Sequence, residues 1–139
     1  VLTEESSRGE GFLADVCAAW EQEAQKLSIP RTCIFRIGIV LGKEGGVLKA
    51  MLPAFKLGLG GKVGSGHQWM SWIHVEDLVS MIATATENPN WNGVINAVSP
   101  EPIQNAVFTK ALGSAIHRST PFPVPGFVLK GLMGEMANE

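Results

Sequence analysis

Residues 57–78 read Leu57-Gly58-Leu59-Gly60-Gly61-Lys62-Val63-Gly64-Ser65-Gly66-His67-Gln68-Trp69-Met70-Ser71-Trp72-Ile73-His74-Val75-Glu76-Asp77-Leu78. Gly58, Gly60, Gly61, Gly64 and Gly66 permit positive φ and close backbone approach, so Gly64-Ser65-Gly66 reads as a tight turn between short strands, the centre of a hairpin. Gln68 to His74 follows as one extended segment. Trp69 and Trp72 stand three apart, which places them on opposite faces of a strand and predicts that the segment is mostly buried. At its end His74, Glu76 and Asp77 crowd the start of a helical pattern, where carboxylates complement the positive end of the helix dipole and a side-chain acceptor caps free amides.

Each polar residue here has a structural and a functional reading. His74 at a strand-to-helix junction reads first as a cap, with catalysis as the alternative. His67 reads as an exposed loop residue. Glu76 and Asp77 are adjacent and point in different directions on a helix, which rules out a paired-carboxylate mechanism built on them.

Working outward toward the N-terminus, Thr32 to Leu41 is almost continuously apolar and β-branched, the pattern of a strand covered on both faces in a parallel sheet. Arg36 interrupts it, and a structural ion pair or a ligand contact would each account for a cation there. Before it, Phe12, Leu13, Val16, Cys17, Trp20, Ala24 and Leu27 recur at helical spacing and predict an amphipathic helix over 10–27. Between strand and turn, 45–57 is helical with apolar residues nearly all round, as in a helix sandwiched between layers, and Pro53 threatens a kink.

Beyond the Trp-rich segment, Val75, Leu78, Val79, Ile82 and Ala85 mark a helix that fades at Asn88-Pro89-Asn90. Gly93 to Val98 is a short strand. Val107, Phe108, Ala111, Leu112, Ala115 and Ile116 share one helical face behind Asn105, a candidate N-cap. Pro121, Pro123 and Pro125 force an extended passage before a short helix over 126–133.

Strands alternating with helices indicate an α/β architecture with a parallel sheet. With one long apolar strand where a doubly wound domain has five or six, the fold reads as partial. The 139 residues, 45% of them hydrophobic, suffice for one domain with a core. A net charge of −2 with 11 scattered Lys and Arg lacks the basic footprint that nucleic-acid phosphates demand. Cys17 and Cys33 are lone thiols on elements that read as buried. They show no zinc or disulfide spacing, and a reducing compartment is expected. No apolar run reaches the ~18 residues that span a bilayer, so a soluble, cytoplasmic protein is expected. The chain has no G-x-G-x-x-G leading from strand to helix, no P-loop, no H-E-x-x-H and no G-x-S-x-G. No metal site is expected.

The run Arg36-Ile37-Gly38-Ile39-Val40-Leu41, Gly45-Gly46-Val47-Leu48, Met51-Leu52-Pro53, Leu57 to Gly61, Gly64 to Gln68 and Trp72-Ile73-His74-Val75-Glu76-Asp77 resembles an atypical branch of the extended short-chain dehydrogenase/reductases. This is the NAD(P)-dependent epimerase-like family, some members of which are labelled cell-division inhibitors. Val98-Ser99-Pro100 and Leu132-Met133-Gly134 extend the resemblance over nearly the whole chain. It implies the C-terminal part of a Rossmann-type fold, with the N-terminal nucleotide-binding half and a last C-terminal segment absent. A start at Val1 agrees with an internal piece of a longer protein. Residues 1–42 would hold the active-site-type helix and sheet strand of a single partial domain, and 43–139 its substrate-side helical and hairpin region.

The resemblance also implies a site. Typical members carry Tyr-x-x-x-Lys with a Glu four residues on, where the lysine lowers the tyrosine pKa for proton transfer. Aligning on Glu21 puts Leu13 and Cys17 at the Tyr and Lys positions, and the chain contains no tyrosine. Ile37, Gly38 and Ile39 would lie near the nicotinamide, and Arg36, His67, Trp69, Met70, Trp72 and His74 at the substrate cleft. Ile39 and Met70 stand where nucleotide-sugar enzymes carry Asn and Arg, which argues against a nucleoside-diphosphate sugar as substrate.

Three readings follow. The favoured one is the substrate-side portion of an NAD(P)-dependent oxidoreductase, or epimerase-type isomerase, acting on a small molecule. It would use NAD(P), with NADP favoured, only together with the missing half. The second is a catalytically degenerate nucleotide-binding sensor or interaction protein, and the third a structural module that forms a homodimer through helix 10–27.

Overall fold

The computed structural model describes residues 2–121, 123 and 124. The helix expected over 126–133 and the Leu132-Met133-Gly134 signal lie outside them. The chain runs α1 (Phe12–Gln25), β1 (Cys33–Ile37), β2 (Ile39–Leu41), α2 (Gly46–Lys56), β3 (Trp69–Met70), β4 (Trp72–His74), α3 (Val75–Glu87), β5 (Gly93–Ala97), β6 (Ile103–Gln104) and α4 (Asn105–Ala115). These are the helices that the periodicity predicts. α2 passes through Pro53 in its last turn, where the missing N–H forfeits the bond that the Lys49 carbonyl would accept.

The strands depart from expectation in how they pair. The apolar run 32–41 is two strands: β1 pairs in parallel with β5 in the register Arg36↔Asn96, whereas β2 pairs in parallel with β4 in the register Val40↔Ile73. Gly38 is the point of exchange. Its N–H donates to the Ala97 carbonyl (3.2 Å), and the next N–H, of Ile39, donates to the Ser71 carbonyl (2.8 Å). A Cβ on Gly38 would stand 2.7 Å from that Ser71 oxygen and 2.9 Å from Val98 Cγ1. Only a residue without a side chain lets three backbones meet there.

The hairpin is also overturned. Gly64 and Gly66 both have positive φ and form the expected turn, closed by Gly66 N–H to Val63 C=O at 2.9 Å. The residues flanking it, however, pair elsewhere. Val63 bridges Val124, and β3 pairs antiparallel with β6 in the register Met70↔Ile103. Ser71 interrupts the Trp-rich segment to receive Ile39, so Trp69 and Trp72 belong to different strands with different partners. Ile73 is buried, but Trp69 is 68% exposed and His74 lies at the surface. Alternation along one strand holds only while that strand keeps one pair of faces.

The core of the described residues holds Phe55, Ile73, Ala85, Ala97 and Phe108, where α2, α3 and α4 meet the strand pairs. Phe55 is the one buried residue of α2, packed on a backbone stretch so close that a Cβ at Gly60 would fall inside its ring contacts. The layer sandwich expected for α2 is therefore one-sided: Val47, Leu48, Met51 and Leu52 are half-buried, while Lys49, Ala50, Pro53 and Ala54 are exposed. α1 has no buried residue at all. Phe12 is 73% and Trp20 72% exposed, and Cys17, expected to be buried, is exposed too. Among the described residues β1 has a strand on one edge only.

Candidate functional site

The carboxyl ends of β1 and β5 converge with β4 around Gly38. Ser71 accepts from Ile39, and Trp72 C=O accepts from Ser99 N–H at 2.6 Å, so β4 is laced to both flanking chains. Ile37 is 52% and Ile39 37% exposed, on either side of a glycine with no room for a side chain. Trp72 lies beside Ile39 in register, half-buried, its indole N–H donating to the Glu101 carbonyl at 3.2 Å. The result is an apolar floor in which Ile37, at the carboxyl end of β1, meets Ile39 and Trp72, the first residues of β2 and β4; the carboxyl ends of β1 and β5 are where α/β sheets bind ligands.

An ion pair ties α1 to β1. Arg36 donates through Nε to Glu21 Oε1 (2.7 Å) and through Nη2 to Glu21 Oε2 (2.8 Å), while its Nη1 reaches the Glu4 carbonyl (3.0 Å). The two-point bond to Arg36 holds the Glu21 carboxyl below the usual carboxylate range and raises the Arg36 guanidinium further. Of the two readings of Arg36, the ion pair is the one realised. Glu4 completes the arrangement by accepting the Asn96 N–H (2.7 Å) at the outer edge of β5, and that bond lowers its pKa as well. Leu13, Cys17 and Glu21 succeed one another at four-residue spacing and so share a helix face. Leu13 and Cys17 are both exposed, so the ion pair anchors a face that offers a methyl-rich side chain and a thiol and no phenol or amine.

The other candidate residues scatter. His74 caps α3: its Nδ1 accepts the Glu76 N–H at 3.3 Å, the structural role read from its position. It also lines a cavity of about 540 Å³ with Val40, Lys43 and Glu76, beyond β2 and β4. His67 is exposed in the glycine-rich loop, its N–H on Ser65 Oγ. Met70 faces inward, and its sulfur accepts from Asn105 Nδ2 at 3.5 Å.

Asn105 has a larger role than the expected N-cap. Gln104 occupies the cap position, and Asn105 is buried as the first residue of α4. Its side-chain Oδ1 accepts the Val63 N–H (2.8 Å) and its backbone N–H donates to the Gln68 carbonyl (2.9 Å), so one residue braces the glycine-rich loop from within, while its Nδ2 reaches the Met70 sulfur. An amide is suited to this because it both donates and accepts. No sequence signal distinguishes it from a cap, since both uses favour Asn before an apolar run. No described helix is long and apolar enough to cross a membrane, and the described residues hold no group of three or more metal-ligating side chains.

This architecture is part of an extended short-chain dehydrogenase/reductase fold. The chain belongs to the NAD dependent epimerase/dehydratase family, whose model matches residues 13–97. It is 47% identical over 138 residues to an Arabidopsis thaliana protein named "Epimerase family protein SDR39U1 homolog, chloroplastic", covering 99% of this chain and 40% of the relative. It is 39% identical to the Bacillus subtilis epimerase family protein YfhF, covering 98% of this chain and 46% of that protein. A crystal structure of human epimerase family protein SDR39U1 with NADPH superposes with a TM-score of 0.84 at 37% identity, over 89% of this chain and 43% of that one. The UDP-glucose 4-epimerase of Thermotoga maritima, at 19% identity and a TM-score of 0.61, shares the fold. The chain thus spans less than half the length of these relatives.

Proposed function

We propose that this chain is the substrate-side portion of an NAD(P)-dependent oxidoreductase or epimerase-like protein, with NADP the favoured cofactor. The observation that carries the reading is the floor around Gly38. Exposed Ile37 and Ile39 flank a glycine that allows close approach, and Trp72 lies alongside. A flat apolar ring such as nicotinamide fits such a surface, and the cofactor, when bound, supplies hydride transfer. The NADPH in the similar human structure supports the same reading. The chain lacks a strand-to-helix glycine turn for a pyrophosphate, so the nicotinamide end of the cofactor fits these residues and the diphosphate end does not. Apolar Ile39 and inward-facing Met70 favour a substrate smaller or less polar than a nucleotide sugar.

Leu13 and Cys17 support a second reading, a nucleotide-binding sensor or interaction protein without the usual proton relay. The exposed Phe12 and Trp20 face of α1 supports a further contact, with a second copy through helix 10–27.

Titration calorimetry of NADPH into this 139-residue chain and into the intact protein tests the reading. Binding to the intact protein alone is expected, weakened at least tenfold by Ile39→Asp. Equal micromolar binding to both would overturn it. Turnover of carbonyl substrates by the intact protein separates the oxidoreductase from the sensor, for which NADPH binds and is not consumed.

A further inference from the structure

α4 ends in a tight reversal. His117 takes φ 54, its N–H donates to Ser114 C=O (3.1 Å), and the Arg118 N–H donates to Gly113 C=O (2.8 Å), the paired bonds of a Schellman motif. The chain then returns along the helix. It lies so close that a Cβ on Gly113 would stand 2.7 Å from both the Arg118 carbonyl and Thr120 Cγ2. Ala106, Thr109, Lys110 and Ser114 follow one another at helical spacing and form one wall of a groove of about 440 Å³, with residues 118–121 opposite and Lys62 contributing from the glycine-rich loop.

Three cations line this groove, Lys62, Lys110 and Arg118, and no acidic residue does. None of the three forms a salt bridge among the described residues. Arg118 is oriented by its Nε, which donates to the Lys56 carbonyl at 3.1 Å, and its Nη nitrogens have no partner among the described residues. Thr109, 2% exposed, also lines the groove, and its Oγ1 is buried with no hydrogen-bond partner among the described residues. Buried hydroxyls are nearly always satisfied. Ser114, Ser119 and Thr120 add further hydroxyls.

The geometry points to a binding site for a small phosphorylated molecule, its phosphate held by Lys62, Lys110 and Arg118 and reached by the Thr109 hydroxyl. A dianion with three acceptor oxygens matches a cluster of cations and hydroxyl donors. The volume exceeds that of a bare phosphate and leaves room for an organic moiety. The site is separate from the floor around Gly38 and does not depend on the cofactor reading.

The test is titration of inorganic phosphate into the intact protein at constant ionic strength, with and without saturating NADPH. Saturable binding that NADPH leaves in place is expected. The Lys62→Ala/Lys110→Ala variant should bind at least tenfold more weakly, and Thr109→Val several-fold more weakly, whereas Thr109→Ser retains binding. Both lysines are exposed, so their removal leaves the fold intact. Absence of saturable binding, full displacement by NADPH, or unchanged affinity in the lysine double variant would each overturn the assignment.

Discussion

Glu21 in α1 grips Arg36 in β1 through both carboxylate oxygens, at 2.7 and 2.8 Å. The pair is the tie between the helix that carries Leu13 and Cys17 and the strand that ends at Ile37 and Gly38. Both guanidinium contacts are parallel and charge-assisted, the geometry in which an ion pair contributes most.

The pair makes stability depend on acid. The Glu21 pKa is lowered on folding, so its contribution is fully present above the unfolded carboxylate value of about 4.3 and is lost as pH falls through the lower folded value. Arg36 stays protonated throughout. Glu21→Gln in the intact protein should lower unfolding free energy by about 1 kcal/mol at pH 7, and denaturant curves should show this difference shrinking toward zero below pH 4. A difference that persists in acid would contradict the pairing.

Gly38→Ala places a methyl group within 2.7 Å of a backbone oxygen, which no side-chain rotation relieves. A cost of about 2–3 kcal/mol is expected, the range of overpacked cores, together with weakened NADPH binding in the intact protein. Thermal unfolding and calorimetry read the two effects separately.

Asn105→Ala removes the acceptor of the Val63 N–H and opens a void beside Met70. Leaving a part-buried donor unsatisfied costs about 1–3 kcal/mol. Hydrogen exchange should locate the damage, with the Val63 amide losing protection while amides of β1 and β5 keep theirs.

His117→Gly acts in the opposite direction. A side chain at φ 54 carries a penalty of about 1–2 kcal/mol that glycine avoids, partly offset by the greater freedom of glycine in the unfolded chain. A net gain of about 0.5 kcal/mol is expected, visible as a higher denaturation midpoint.

The sequence by itself determined the described helices and the position of the parallel strands. Helical periodicity placed α1, α3 and α4 within a few residues, because each is decided by side chains one turn apart, and the apolar runs at Thr32 and Gly93 marked the parallel strands. Motif order identified the family. His74 was legible as a cap because its partner, Glu76, lies two residues away.

The tertiary structure decided everything that depends on distant partners. The exchange at Gly38 hides in an unbroken apolar run, since the period of a strand is silent about which neighbour it pairs with. The expected hairpin gave way to pairing of β3 with β6 because a turn fixes chain direction but not the better-matched strand. Glu21 with Arg36, Glu4 with Asn96 and Val63 with Asn105 are 15, 92 and 42 residues apart. Each satisfies a charge or backbone donor whose need is visible locally and whose partner only the folded chain brings within reach.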